Sequence, residues 1–158
     1  MNRVGFGFDV HPFAAGRKLV LGGVELEHTA GLAGHSDADV LSHALADALL
    51  GAAGEGDLGQ HFPASDPRWK GVSSLVFLDA IRELLNRKGL RIVNVDCTVV
   101  AERPKVLPHV PAIRAALGRV LRIDPALVGV KGKTCEGLGA IGREEGIAAY
   151  AVALVETQ

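Results

Sequence analysis

Apolar and polar positions alternate over residues 3–10, which predicts a β-strand. Residues 18–21 and 24–27 flank Gly22-Gly23, a two-residue turn of the hairpin type. Residues 31–35 are expected as loop. Ser36 is a suitable N-cap, with Asp37 and Asp39 in the first turn of a helix that runs to about Ala53 and ends at Gly54 and Gly56. Residues 57–71 contain Pro63 and Pro67 and are expected as a long loop, functional or mobile. Ser73 or Ser74 caps a second helix that ends near Lys88-Gly89. Residues 92–101 form a valine-rich strand, and Pro104, Pro108 and Pro111 break the stretch after it. A third helix is predicted over 112–121, a turn at Asp124-Pro125, strands over 128–134 and 147–155, and a glycine-rich loop between those strands. The fold class expected from this order is α+β: a two-layer sandwich, one mixed sheet with helices on one face.

Length and composition narrow the picture. With 158 residues, 48% of them hydrophobic, the chain is expected to be one domain, residues 1–158, with a real core. A formal net charge of −1 gives no reason to expect general affinity for nucleic acid or an anionic membrane. No apolar run is long enough to span a bilayer, and Gly5, Gly7, Asp9 and His11 interrupt any leader-like segment. Cys97 and Cys135 form no CxxC pair, so an intracellular, cytoplasmic protein with reduced thiols is expected. Twenty glycines and only 4% aromatics suggest tight turns and a core of Ala, Leu and Val.

The opening strand carries the first candidate chemistry. Residues two apart on a strand share a face, so Asp9 and His11 project together while Val10 points away. In the first helix Asp39, His43 and Asp47 are spaced by four and share a face. Two histidines and a carboxylate are a common zinc donor set, and a catalytic zinc keeps three protein ligands and one open position. Asp9, His11 and His43 are thus candidate zinc ligands, with Asp39 or Asp47 as a carboxylate partner for the second nitrogen of His43. The plainer reading is a hydrogen-bonded pair on the strand and a solvated helix face.

Other polar clusters also have two readings each. His35-Ser36 at a helix start suits phosphate binding or an ordinary cap. Asp57 and Asp66 can accept hydrogen bonds from polyol hydroxyls or simply shape a turn. Lys131 and Lys133 share a strand face and can hold phosphates, with Glu136 on Mg²⁺; the alternative is a solvated strand end. GLGAIG at 137–142 is a formal GxGxxG, but no second βα unit follows, so a dinucleotide site is rejected in favour of a tight turn. Arg114, Arg119 and Arg122 are read as a solvated face.

FDVH at 8–11, HSDADVLSHALADALLGAAGEGDLG at 35–59, FPASD at 62–66, NVDCTVVAERPK at 94–105 and EGLG at 136–139 resemble the 2-C-methyl-D-erythritol 2,4-cyclodiphosphate synthases of the non-mevalonate isoprenoid pathway. The match runs nearly end to end. The resemblance implies Zn²⁺ on Asp9, His11 and His43, and Mg²⁺ or Mn²⁺ on Glu136 together with substrate phosphates. It implies substrate contacts at Asp9, Val10 and His11, and at His35 and Ser36 for phosphate. Asp57, Leu58 and Gly59, with Phe62, Pro63, Ala64, Ser65 and Asp66, would hold the erythritol. Ala101, Pro104, Lys105, Val106 and Leu107, with Gly132, Lys133, Thr134, Cys135 and Glu136, would hold the cytidine and its phosphates. His35 and Thr134 would stabilise the transition state.

The resemblance further implies a homotrimer, its sheets around a threefold axis and its sites between subunits. Ala140, Arg143 and Glu145 would face an axial cavity able to take an isoprenoid diphosphate. Ala140 stands where the family is usually aromatic, Lys133 and Cys135 where it often has threonine, and Phe6 where it often has histidine. The implied reaction converts 4-diphosphocytidyl-2-C-methyl-D-erythritol 2-phosphate to the 2,4-cyclodiphosphate with release of CMP. The competing readings are a zinc-dependent phosphoester hydrolase and a non-catalytic trimer that binds isoprenoid diphosphates. A fused bifunctional enzyme is not expected at this length.

Overall fold

Strand β1 (Asn2–Ala14) alternates strictly, and the two faces that it presents organise the molecule. In the computed structural model, which describes residues 1–158, β1 pairs antiparallel with β7 (Gly146–Thr157) along nearly its whole length. β5 (Leu90–Val100) pairs antiparallel with β7 and parallel with β6 (Val128–Lys133), and β4 (Gly31–Leu32) edges β1. The order β4-β1-β7-β5-β6 is a mixed sheet, as expected. β2 (Leu19–Leu21) and β3 (Val24–Leu26) form a separate hairpin around Gly22-Gly23. Helices α1 (Val40–Ala53), α3 (Leu75–Arg87) and α4 (Val110–Leu121) pack on the sheet and on one another; α2 (Leu58–His61) and α5 (Gly139–Gly142) are single turns.

The layer contact is set by small residues. On the inner face of the sheet Gly5 pairs with Ala153, Gly7 with Ala151 and Asp9 with Ala149. A Cβ on Gly7 would sit 1.8 Å from the Ala44 carbonyl oxygen, and one on Gly5 would sit 1.8 Å from that of Ala48. Two residues of strand advance about 6.6 Å and four of helix about 6 Å, so the two rows keep step. Asp9, the next residue on that strand face, then meets His43, the residue before Ala44 on the helix. The leucines of α1 (Leu41, Leu45, Leu49, Leu50) are fully buried and join one core of 33 residues with α3, α4 and the sheet.

The outer face of the same strands is apolar and open. Val4, Phe6, Phe8, Val10, Tyr150 and Val152 are exposed there, and Tyr150 stacks on Phe8 at 5.0 Å and on Phe6 at 6.2 Å between ring centroids. No helix is long and apolar enough to cross a membrane.

Several boundaries depart from expectation. The cap of α1 is Asp39, not Ser36: its carboxylate accepts from Ser42 N at 3.0 Å. Ala38 has a φ of 58°, which stops the helix from extending back to Ser36, so neither Asp37 nor Asp39 lies in its first turn. Residues 31–35, expected as loop, include β4 because the extension of β1 to Ala14 offers a free edge. Residues 57–71 are not a bare loop, since α2 and a 3₁₀ turn over Pro67–Trp69 lie within them, capped by Asp57 and Asp66. Helix α4 starts at Val110 because Pro111 suits a first turn. The glycine-rich loop holds α5.

Gly7→Ala is expected to destabilise the fold by at least about 1–3 kcal/mol, because the new methyl must push α1 off the strand. Chemical denaturation measures this; an unchanged midpoint would refute the close approach as a constraint.

Candidate metal centre and adjoining cavities

β1 and α1 bring three donor atoms into one small triangle. His11 Nε2 lies 2.9 Å from Asp9 Oδ2, His43 Nδ1 lies 3.0 Å from the same oxygen, and the two ring nitrogens are 3.1 Å apart. Two ligands on a tetrahedral ion at about 2.05 Å stand about 3.3 Å from each other, close to all three edges. Asp9, His11 and His43 are the group in this chain that can hold a metal ion. Each is partly buried, with side-chain exposures of 29%, 18% and 11%, so a fourth position can stay open toward solvent.

The electrostatics call for a cation between these groups. Burial works to raise the Asp9 carboxyl, but hydrogen bonds and charge from His11 and His43 outweigh it and hold it well below the usual carboxylate range. Burial works to lower His11, but the hydrogen bond and charge of Asp9, with help from the Ala33 backbone, raise it above its ordinary 6.5. Both shifts favour positive charge beside the Asp9 carboxylate.

The expected carboxylate partners of His43 are elsewhere. Asp39 is fully buried and accepts from Gly22 N, Gly23 N, Ser42 N and Ser42 Oγ, tying the β2–β3 hairpin to the start of α1. Burial pushes its carboxyl up. Asp47 accepts from Leu58 N at 2.7 Å and anchors α2. Both are one turn from His43 in sequence, but each has a nearer backbone donor. His43 Nε2 instead faces Ser74 Oγ at 2.9 Å and Ser36 Oγ at 3.1 Å.

A cavity of about 200 Å³ opens beside the triangle, lined by His11, His35, Ser36, His43, Leu58, Gly59, Phe62, Ala64, Trp69 and Phe77. His35 Nε2 donates to Asp66 O at 3.0 Å, and Gly71 N donates to His35 O at 2.8 Å, so the 57–71 segment is pinned over it. Phe62 stacks on Phe77 at 4.6 Å and meets Trp69 edge-on at 5.3 Å. Trp69 and Phe77 escaped sequence reasoning. The available signal was their rarity, because one tryptophan and five phenylalanines serve the whole chain. Asp57 is exposed and caps α2 through Gln60 N; Asp66 pairs with Arg68 at 2.6 Å. Val10 turns its side chain to the outer face, as expected, so only its backbone is available here.

A second cavity of about 310 Å³ lies at the free edge of β6, lined by Ala101, Lys105, Val106, Leu107, Val130, Lys131, Gly132, Lys133 and Thr134. It shares no residue with the first. His35 and Thr134 are therefore not brought together within one chain. Lys131 pairs with Asp96 at 2.5 Å, which fits the plainer reading of that lysine. Glu136 has a φ of 52°, and its carboxylate accepts from Thr134 Oγ1 at 3.1 Å. Glu102 Oε1 accepts from Cys135 N at 2.7 Å and Gly137 N at 3.4 Å, holding that loop on either side of Glu136. Pro104 follows a cis peptide bond, and Arg143 pairs with Glu145 at 2.6 Å beside Ala140.

Fold and site thus define an α+β protein with a carboxylate–imidazole metal group between a strand and a helix. Residues 2–156 match the YgbB family, and the chain belongs to it. It is 59% identical over 152 residues to the 2-C-methyl-D-erythritol 2,4-cyclodiphosphate synthase of Symbiobacterium thermophilum, covering 96% of this chain and 97% of that one. It superimposes on a CDP-bound structure of a 2C-methyl-D-erythritol-2,4-cyclodiphosphate synthase with a TM-score of 0.89 at 39% identity, covering 98% of this chain and all of that one. Against the bifunctional IspDF of Campylobacter jejuni the TM-score is 0.96 at 38% identity; this chain is covered in full and spans 43% of that longer chain.

Two outcomes are expected. His43→Ala removes one of three ligands, so bound metal should fall from about one ion per chain to near zero by elemental analysis. Retained metal would refute the ligand set. Metal uptake should also displace the His11 proton. Apparent affinity then falls as pH drops through the raised His11 value, by up to about tenfold per unit, which calorimetry in buffers of different ionisation enthalpy detects. In the metal-free chain the Asp9–His11 pair stabilises the fold most between the ordinary values of 3.8 and 6.5. The Asp9 part is lost as pH falls through its lowered value, and the His11 part as pH rises through its raised one.

Proposed function

We propose that this chain converts 4-diphosphocytidyl-2-C-methyl-D-erythritol 2-phosphate to 2-C-methyl-D-erythritol 2,4-cyclodiphosphate and CMP, in the cytoplasm, as a homotrimer. The observation that carries this reading is the converged Asp9–His11–His43 group in a chain 59% identical to a synthase of that product over 96% of its length. The substrate's 2-phosphate oxygen forms a bond to the β-phosphorus. The bond from that phosphorus to the bridging oxygen breaks, and CMP leaves with the electron pair. The attacking oxygen is already ionised near neutral pH, so no general base is required. The task is to bring like charges together and hold them in line.

Zinc on Asp9, His11 and His43, and Mg²⁺ or Mn²⁺ on Glu136 with substrate phosphates, would supply charge neutralisation and Lewis-acid polarisation. The chain's own residues do the positioning. His35 and Ser36 line the cavity beside the metal group and offer polar contacts to phosphate. Asp57 and the backbone around Leu58 and Gly59 face the erythritol hydroxyls. The Phe62–Trp69–Phe77 cluster keeps water from one wall. Lys105, Lys133 and Thr134 line the second cavity, whose size and charge suit a cytidine diphosphate; a structural relative binds CDP.

The trimer reading is supported by two features. The two cavities share no residue in one chain, which fits a site where His35 and Thr134 come from neighbouring copies. The outer face of β1 and β7 leaves Phe6, Phe8, Val10, Tyr150 and Val152 uncovered, a patch that other copies of the sheet would bury. On this reading Arg143 would meet the diphosphate of an isoprenoid on the axis.

Phosphorus-31 NMR of the purified chain with the cytidyl substrate and Mg²⁺ tests the activity. Cyclic diphosphate and CMP should form and should cease on zinc chelation. A linear phosphate product would assign a hydrolase, and no turnover from zinc-loaded trimer would leave only a binding role.

A further inference from the structure

A neutral imidazole offers a lone pair from one ring nitrogen only, and His43 must offer Nδ1 to share a cation with Asp9 and His11. The surroundings of its other nitrogen decide whether it does. Ser74 Oγ lies 2.9 Å from His43 Nε2, and Ser74 is completely buried at the start of α3. Its position is that of a helix cap, yet its hydroxyl makes no capping bond. A serine hydroxyl has one proton, and this one is committed: Ser74 Oγ donates to Asp37 Oδ1 at 2.5 Å. The same carboxylate accepts from Ser74 N at 3.1 Å and from Asp39 N at 3.1 Å, and Asp37 N donates to Val72 O at 2.9 Å. Asp37 is thus held from both sides, between the approach to α1 and the start of α3.

With its proton on the Asp37 side, Ser74 turns only lone pairs toward His43. Nε2 must then carry the N–H in the metal-loaded chain, which leaves the Nδ1 lone pair for a cation shared with Asp9 and His11. Ser36 does not oppose this arrangement. Its Oγ accepts from Ala38 N at 3.2 Å, and its own proton can point to Ser74 Oγ, 3.3 Å away.

We propose that Asp37 and Ser74 are positioning residues: the chain Asp37–Ser74–His43 fixes His43 as the Nε2–H tautomer and so presents Nδ1 to the metal. The inference rests on the metal reading of Asp9, His11 and His43. Neither Asp37 nor Ser74 is a ligand, and neither lines the cavity beside the metal group. Partners at this remove from a metal are worth about 10–100-fold in affinity.

The test is zinc affinity of the full-length chain, by competition with a chromophoric chelator, for the parent, Ser74→Ala, Ser74→Thr, Asp37→Asn and the Ser74→Ala/Asp37→Asn double variant. Ser74→Ala should bind zinc about 10–100-fold more weakly. Ser74→Thr keeps the hydroxyl and should recover most of the loss, which a role in packing or capping alone does not predict. Asp37→Asn lets an amide N–H point at Ser74 Oγ and turn its proton toward His43, so affinity should fall there too. Because Asp37 acts through Ser74, the double variant should be no weaker than Ser74→Ala. Affinity of Ser74→Ala within threefold of the parent, or full additivity in the double variant, would overturn the proposal. Should Ser74→Ala fail to fold by circular dichroism, Asp37→Asn decides: parental affinity there overturns it. A parent chain that takes up no zinc overturns the metal reading together with the inference, whereas parental affinity in the variants removes the inference alone.

Discussion

The contact between the Gly5-Gly7 rungs of β1 and the Ala44-Ala48 backbone of α1 sets the geometry of everything else. Any side chain at either glycine would meet a helix carbonyl within bonding distance, so the helix lies on the strand with nothing between. That closeness is what lets a residue on a helix and two on a strand meet around one point. The same small-residue seam continues into β7, where Ala149, Ala151 and Ala153 back the glycines. Stability in this layer comes instead from the buried leucines of α1, which share one core with the sheet, α3 and α4.

The second organising feature is incompleteness. One face of the sheet is covered by helices and the other is apolar and bare. One cavity adjoins the metal group, while the other carries the lysines and Thr134. The proposed trimer would resolve both, covering the bare face and facing one cavity with the other. In that arrangement the charge balance is coherent. On the proposed function a metal group and two lysines, Lys105 and Lys133, would gather around a substrate rich in phosphate, while Lys131 pairs with Asp96.

The sequence made much of this legible. Alternation over 3–10 placed Asp9 and His11 on one face, Gly22-Gly23 gave the hairpin, and the i+4 row of α1 gave His43. What stayed hidden depended on contacts between elements. The helix start moved from Ser36 to Asp39 because Ala38 adopts a left-handed conformation that no local pattern announces. Asp39 and Asp47 sit on the His43 face but were claimed by Gly22, Gly23 and Leu58, which are remote in sequence. Ser74 reads as a cap and works as a partner of His43. The glycine rungs themselves carried a usable signal, since G-x-G-x-D-x-H on a strand and alanines every fourth residue on a helix are a matched pair. The functional resemblance was specific where these patterns were not, because spacing alone favoured a solvated face over a metal site.

Diffraction from crystals of the purified chain, collected on both sides of the zinc absorption edge, tests the central claim most directly. The account predicts one anomalous peak per chain, bonded to Asp9 Oδ2, His11 Nε2 and His43 Nδ1 between β1 and α1. A zinc-replete crystal with no peak there, or with the ion on other side chains, would contradict it.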